Sequence, residues 1–177
     1  MKTITATDVK RHAGRTDLIG EYKWGDAGQI FLFFIFLTIW ITDSFILHYT
    51  TFLAEYIPTF ILLLAGTLVL FFSWQLARSG LRIVFGQKRE KPEVIRKGVF
   101  SMVRHPVYVG SILLYLGLIL YTLSLASAAF WLVIVVFYYF ISRYEEKILT
   151  DYFGEEYLRY KNEVPMLIPR LTGKKPE

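Results

Sequence analysis

The sequence predicts an all-α integral membrane protein. It is expected to have four transmembrane helices, the last two closed into a tight C-terminal hairpin, with a cytoplasmic loop before that hairpin and an amphipathic helix after it. Three observations predict this class. Of the 177 residues, 54% are hydrophobic and only 20% are charged, below the roughly 25% charged content of ordinary soluble domains. Four apolar stretches, 28–47, 59–77, 107–123 and 125–142, have the roughly 17 to 25 residues a helix needs to cross a bilayer. All 20 Lys and Arg residues avoid two of the connections between those stretches.

The elements follow in order. Segment 1–27 is polar and contains Asp8, Asp17 and Glu21, so it reads as a cytoplasmic segment, neither a signal peptide nor an acid-poor transit peptide. The first span carries one acid, Asp43, near its far end. At about 1.5 Å per residue that is roughly 20 Å from the start of the span, and Asp43 is expected either to be buried against a hydrogen-bonding partner or to reach the headgroups. Basic residues cluster before the first span (Lys2, Lys10, Arg11, Arg15, Lys23), between the second and third (Arg78 to Arg104) and after the fourth (Arg143 to Lys175), while 48–58 and the turn at Ser124 hold none. The positive-inside rule then puts both termini and the 78–106 loop in the cytoplasm. Only a residue or two separates the third and fourth spans, so RHPVY at the start of one and SRYEEK at the end of the other should be neighbours. The loop KREKPEVIRKGVF, interrupted by Pro92 and Gly98, reads as an irregular strap whose backbone can present N–H and C=O groups to a ligand. The tail 143–177 alternates charge with Ile148, Leu149, Tyr152, Phe153, Tyr157 and Leu158, an amphipathic helix expected to break near Gly154.

Composition also limits the chemistry. There is no cysteine, which excludes disulfides, thiolate nucleophiles and cysteine metal sites. His12, His48 and His105 are far apart and fit no zinc spacing, so no metal is expected. The net charge of +5 is accounted for by basic residues gathered on one membrane face, so no nucleic-acid partner is expected. The conspicuous residues each have a plain structural reading as well. Pro106 suits the first turn of a helix. Arg104 and His105 can touch lipid phosphates, Tyr108 can anchor at the interface, and Glu145 and Glu146 can be solvated. Gly66, Ser73, Gly110 and Ser111 can be small residues at helix contacts.

Taken together, GVFSMVRHPVYVGS, a long apolar stretch, and EEKILTDYFGEEYLRYKNEVPMLIP resemble the isoprenylcysteine carboxyl methyltransferase family and, more broadly, the membrane phospholipid methyltransferases. The resemblance runs from Pro92 to Pro169. It implies a membrane methyltransferase that takes S-adenosyl-L-methionine from the cytoplasm and a lipophilic or lipid-linked acceptor sideways from the bilayer lipids. It implies that His105, Pro106, Val107 and Tyr108 line the cofactor site. Pro92, Glu93, Val94 and Ile95 would also touch the cofactor, with Phe100 standing where the family has tyrosine. Glu145 would bind the cofactor, with Glu146 as companion. The family's substrate arginine lies four residues before that glutamate. This chain has Ile141 there, and Arg143, two before, is the substrate-binding candidate. The residue types fit: a carboxylate can accept from the donor's ammonium or ribose, and His105 with nearby backbone N–H groups can hold its carboxylate. Phe100, Tyr108 or Tyr144 can face the sulfonium. No separate base stands out, so catalytic residues remain unassigned. An amine or phospholipid N-methyltransferase, and a non-catalytic membrane module of the same fold, stay open beside this reading, as does the oligomeric state.

Overall fold

The computed structural model describes residues 25–86 and 91–168, all helical or irregular with no strand among them. Residues 1–24, 87–90 and 169–177 lie outside the described residues, and with them most of the expected N-terminal segment, part of the 78–106 loop and the end of the tail. The helices are α1 (Gly25–Ile41), α2 (Thr59–Phe85), α3 (Pro106–Thr122), α4 (Leu125–Phe153) and α5 (Glu155–Glu163). A π-helical stretch, Thr42–Leu47, extends α1, and short 3₁₀ turns cover Phe52–Tyr56 and Gly98–Ser101.

Among the described residues, three helices are long and apolar enough to cross a membrane: Gly25–Leu47, Thr59–Phe85 and Leu125–Phe153. The third expected span forms a helix where expected, but Pro106–Thr122 has only 17 residues. At 1.5 Å per residue that is about 25 Å, short of a hydrocarbon core of about 30 Å. Two other boundaries also move. α2 continues past 77 to Phe85, and α4 past 142 to Phe153. Arg78 and Arg143 mark where the apolar stretch stops, whereas a helix stops only where its backbone hydrogen bonds do. Large apolar side chains such as Phe31, Phe34, Phe60, Phe72, Leu132 and Phe140 are exposed around the bundle, as a lipid environment requires.

Small residues set the closest packing. On α2, Gly66, Ser73 and Gly80 recur every seven residues, and on α3 Gly110 and Gly117 do the same. The two rows meet antiparallel. A Cβ on Gly117 would lie 2.7 Å from Leu70 and 3.3 Å from Gly66 O. A Cβ on Gly110 would lie 3.0 Å from Ser73 O and from Ala77 Cβ. Ser73 Oγ donates to Gly110 O at 2.7 Å. A sevenfold repeat keeps one stripe of each helix turned to its partner, and small residues let the backbones approach. On the other side α1 packs on α4, with Gly25 under Ile141 and Gly28 under Phe137. Phe36, fully buried, meets Tyr115 of α3 edge-on at 4.8 Å, within a core that includes Ile119, Ile134, Tyr138 and Ile141.

The α3–α4 turn is tied down by Asp43. Its carboxylate accepts from Thr50 N (3.1 Å), Thr50 Oγ1 (2.5 Å) and Ser124 Oγ (2.5 Å). The first N–H groups of α4 are all taken: Leu125 by Thr50 O, Ala126 by Thr50 Oγ1, Ser127 by Ser124 Oγ, and Ala128 by Ser124 O. Asp43 is thus buried against hydrogen-bonding partners, the first of its two expected fates, and it completes the N-cap of α4 indirectly. α3 and α4 leave this turn side by side, so His105 at one end of α3 comes level with Glu145 on α4.

Gly110→Val should overpack the seam and destabilise the protein by about 1–3 kcal/mol, lowering its thermal midpoint in detergent. An unchanged midpoint would show that the two backbones do not approach as described.

Candidate functional site

The tetrapeptide His105–Tyr108 opens α3, with Pro106 at its first position, where the missing N–H costs least. Helical geometry splits the four residues between two faces. Pro106 and Val107 turn to α2: a Cβ on Gly80 would lie 3.3 Å from Pro106 Cγ and 2.9 Å from Val107. His105 and Tyr108, three residues apart, turn to α4. Tyr108 OH donates to Glu145 Oε1 at 2.6 Å. His105 Nδ1 lies 3.7 Å from Glu145 Oε2, and Nε2 lies 3.5 Å from Glu146 Oε1. The two rings stack nearly parallel, 5.5 Å apart at 2°. Tyr108 then leans on Tyr138, 5.2 Å away.

The two glutamates, both buried, play different parts. Glu146, 2% exposed, receives Arg104 Nε at 2.6 Å and has Lys161 Nζ at 3.5 Å from its second oxygen. Its charge is matched by two cations. Glu145 meets a hydroxyl and an imidazole. Arg104 also donates from one terminal nitrogen to Lys161 O (2.6 Å) and Val164 O (2.5 Å), so it closes the C-terminal end of α5. The chain reaches that position because Gly154 has φ +57 and ψ −129, a backbone that favours glycine. It breaks the helix at the expected place.

The residues after α5 return to the mouth. Arg104 N donates to Pro165 O (2.9 Å) and His105 N to Met166 O (3.2 Å). The backbone N–H groups beside His105, expected to serve a ligand, are therefore spent on the tail. The strap lies against α5: Arg96 donates to Glu156 O (2.6 Å) and pairs with Glu163 (3.2 Å), and Val94 packs on Tyr157, Tyr160 and Val164. Phe100 is buried, and its carbonyl accepts from Tyr160 OH at 2.7 Å. The structure thus gathers His105, Tyr108, Glu145 and Glu146. Val94 and Phe100 stand one layer away, against α5. Pro92 and Ile95 are half-buried and Glu93 is exposed in the same strap. Arg143 is exposed, while its neighbour Ser142 is fully buried. Three residues around the site went unassigned in the sequence: Arg104, Lys161 and Ser142. Lys161 is separated from Glu146 by a helix break and carries no local signal. Ser142 could have been found from its spacing, three and four residues before the glutamates.

The sequence pattern of the phospholipid methyltransferases matches residues 53–156. The chain belongs to the phospholipid methyltransferase family. The match to this family takes in α2, which the two motifs alone did not, consistent with the seam that joins α2 to α3. Among individual proteins, the chain is similar to the protein-S-isoprenylcysteine O-methyltransferase of Xenopus laevis, 36% identical over 105 residues, which cover 54% of this chain and 33% of that protein. The Saccharomyces cerevisiae protein of the same name is 36% identical over 88 residues, 49% of this chain and 37% of that one. Methanethiol S-methyltransferase 1 of Bradyrhizobium diazoefficiens is 33% identical over 85 residues, 48% of this chain and 29% of that one. The chain thus spans about a third of the length of these relatives. The resemblance to the isoprenylcysteine enzymes drawn from the two motifs is met.

Burial pushes the His105 imidazole below its usual 6.5, with Arg104 acting the same way and Glu146 opposing both. The folded protein therefore favours the neutral imidazole more strongly than the unfolded chain does. The unfolded state binds more protons below pH 6.5, so stability should fall as pH drops through that value, by at most about 1.4 kcal/mol per unit. Facing His105 are Glu145, Glu146, Arg104 and Tyr108. Melting in detergent from pH 8 to 5.5 should show the parent losing more stability than His105→Asn. Equal losses would mean that His105 does not set this dependence.

Proposed function

We propose that this chain is an S-adenosyl-L-methionine-dependent methyltransferase of the membrane that acts on a lipophilic acceptor. The observation that carries the reading is Glu145. It is a buried carboxylate of α4 that meets His105 and Tyr108 of α3, all three within the stretch that the family pattern matches. Tyr108 OH and the His105 ring reach this carboxylate from α3, and a carboxylate so placed can accept from an ammonium or a ribose hydroxyl. Two buried polar atoms beside it, His105 Nε2 and Ser142 Oγ, make no hydrogen bond among the described residues. A polar ligand fits that donor set.

Bound S-adenosyl-L-methionine would supply an electrophilic methyl group on a sulfonium. In the proposed site, neutral His105 offers one ring N–H and one lone pair to the polar end of the donor. Tyr108 fixes the Glu145 carboxylate and presents its ring alongside. Pro106 and Val107 hold the start of α3 against Gly80, which sets where His105 and Tyr108 stand. The strap residues Pro92, Glu93, Val94, Ile95 and Phe100, with α5, form the outer wall. Such walls exclude water and align donor with acceptor, which is most of what an in-line methyl transfer needs. Arg143, exposed on α4, is the candidate for contact with an anionic acceptor.

In the proposed topology, four spans place both termini and the mouth in the cytoplasm, with α3 as the shortest span. The acceptor approaches sideways between helices. A prenylcysteine carboxylate is the first acceptor class, suggested by the names of the isoprenylcysteine relatives. A phospholipid or other amine is the second, the phospholipid suggested by the family description, and methylation of an amine would require that it first lose a proton. A non-catalytic module of the same fold would bind no donor.

Titration with S-adenosylhomocysteine in detergent tests the reading. His105→Ala and Glu145→Gln should each weaken binding roughly ten- to a hundredfold, as expected for a lost hydrogen bond to a charged group. Glu155→Gln, at an exposed position of α5, should bind like the parent. Equal binding by all variants would remove the donor assignment. The absence of cysteine makes the topology directly testable. Glu55→Cys should react with an impermeant thiol reagent outside intact cells, and Lys97→Cys should not. The reverse pattern would invert the orientation.

A further inference from the structure

Ser142 is 0% exposed, and its hydroxyl has no hydrogen-bond partner among the described residues. Other hydroxyls on these helices relieve themselves on the carbonyl four residues back: Thr38 on Phe34 O (2.9 Å), Ser111 on Val107 O (3.2 Å) and Thr150 on Glu146 O (2.6 Å). Ser142 does not. A buried hydroxyl left unpaired is costly and uncommon in native proteins. Its position is specific. It lies four residues after Tyr138, three before Glu145 and four before Glu146, all on one face of α4. Tyr108 lies across that face, with its ring 5.2 Å from Tyr138 and its hydroxyl on Glu145. It therefore spans the turn that carries Ser142. His105 Nε2, which also makes no hydrogen bond among the described residues, flanks the same turn, 3.5 Å from Glu146 Oε1.

We infer that Ser142 is a further ligand-contacting residue of this site, its hydroxyl hydrogen-bonding the bound methyl donor one helical turn from Glu145. The inference rests on the proposed donor-binding role of His105 and Glu145. α4 runs from the Ser124 turn toward the mouth, so Ser142 lies about 4.5 Å deeper in the bundle than Glu145. With His105 and Glu145 at the polar end of the donor, Ser142 stands at the end nearer the apolar core, where the sulfur and the incoming acceptor must meet.

The test is S-adenosylhomocysteine titration and thermal melting, in one detergent, of the parent, Ser142→Ala and Ser127→Ala. Alanine suits a helix interior, so Ser142→Ala removes the hydroxyl and little else. It should bind about three- to tenfold more weakly, as for a lost neutral hydrogen bond, while the ligand-free protein melts no lower than the parent. Ser127→Ala, at the far end of α4 with its hydroxyl paired to Ser124, should keep the parent's affinity and melt lower. If Ser142→Ala binds like a parent that does bind, the inference is overturned and the proposed function stands. If the parent itself does not bind S-adenosylhomocysteine, the proposed function fails and takes the inference with it.

Discussion

The guanidinium of Arg104 meets Glu146 at 2.6 Å, with only 8% and 2% of the two side chains exposed. Removing two charges from water is expensive, and such a pair is tolerated only where further hydrogen bonds complete both partners. Here they do. Arg104 spends its remaining reach on Lys161 O and Val164 O, and Glu146 has Lys161 at its other oxygen. The pair therefore joins three elements that are distant in the chain: the segment just before α3, the last third of α4, and the end of α5. With α5 fixed, the strap has a surface to lie on through Arg96 and Val94, and Tyr160 can reach Phe100. The His105 mouth is built outward from this one ion pair.

Helical periodicity does the rest of the positioning. Because α3 begins at Pro106, residues 105 and 108 face α4 while 106 and 107 face α2. One tetrapeptide thus carries two duties, presenting chemistry on one side and anchoring the helix on the other. The anchor is rigid because the seam behind it is made of glycine, serine and alanine, with backbones too close for a larger side chain. A shift of α3 along that seam would move His105 and Tyr108 away from Glu145 together.

The two ends of the bundle differ in how their polar groups are satisfied. At the Ser124 end, Asp43, Thr50, Ser124 and Ser127 bond one another and the first N–H groups of α4. At the His105 end, polar groups are just as buried, yet His105 Nε2 and Ser142 Oγ make no hydrogen bond among the described residues. A protein that satisfies buried polar groups so fully at one end has the means to do so at the other. Local departures from that consistency concentrate where a site needs groups of its own.

By itself the sequence determined the helical class, the apolar stretches, the break at Gly154 and the pairing of the RHPVY and EE motifs. Each is written in local terms: run length, charge placement, a glycine, and a turn too short to separate two helices. Gly66, Ser73 and Gly110 were legible as small residues at helix contacts for the same reason. Where helices end was not legible, because a charge marks the edge of an apolar stretch while backbone hydrogen bonding carries α2 and α4 beyond it. Which glutamate pairs with Arg104 was not legible either. Glu145 and Glu146 are adjacent and identical in type, and only the return of α5, bringing Lys161 and the carbonyls that hold Arg104, makes one a structural counter-charge and leaves the other facing His105 and Tyr108. The backbone N–H groups at 104 and 105 were likewise claimed by residues 165 and 166. These outcomes depend on contacts between segments far apart in the chain, and no local pattern encodes the distance at which two side chains will meet.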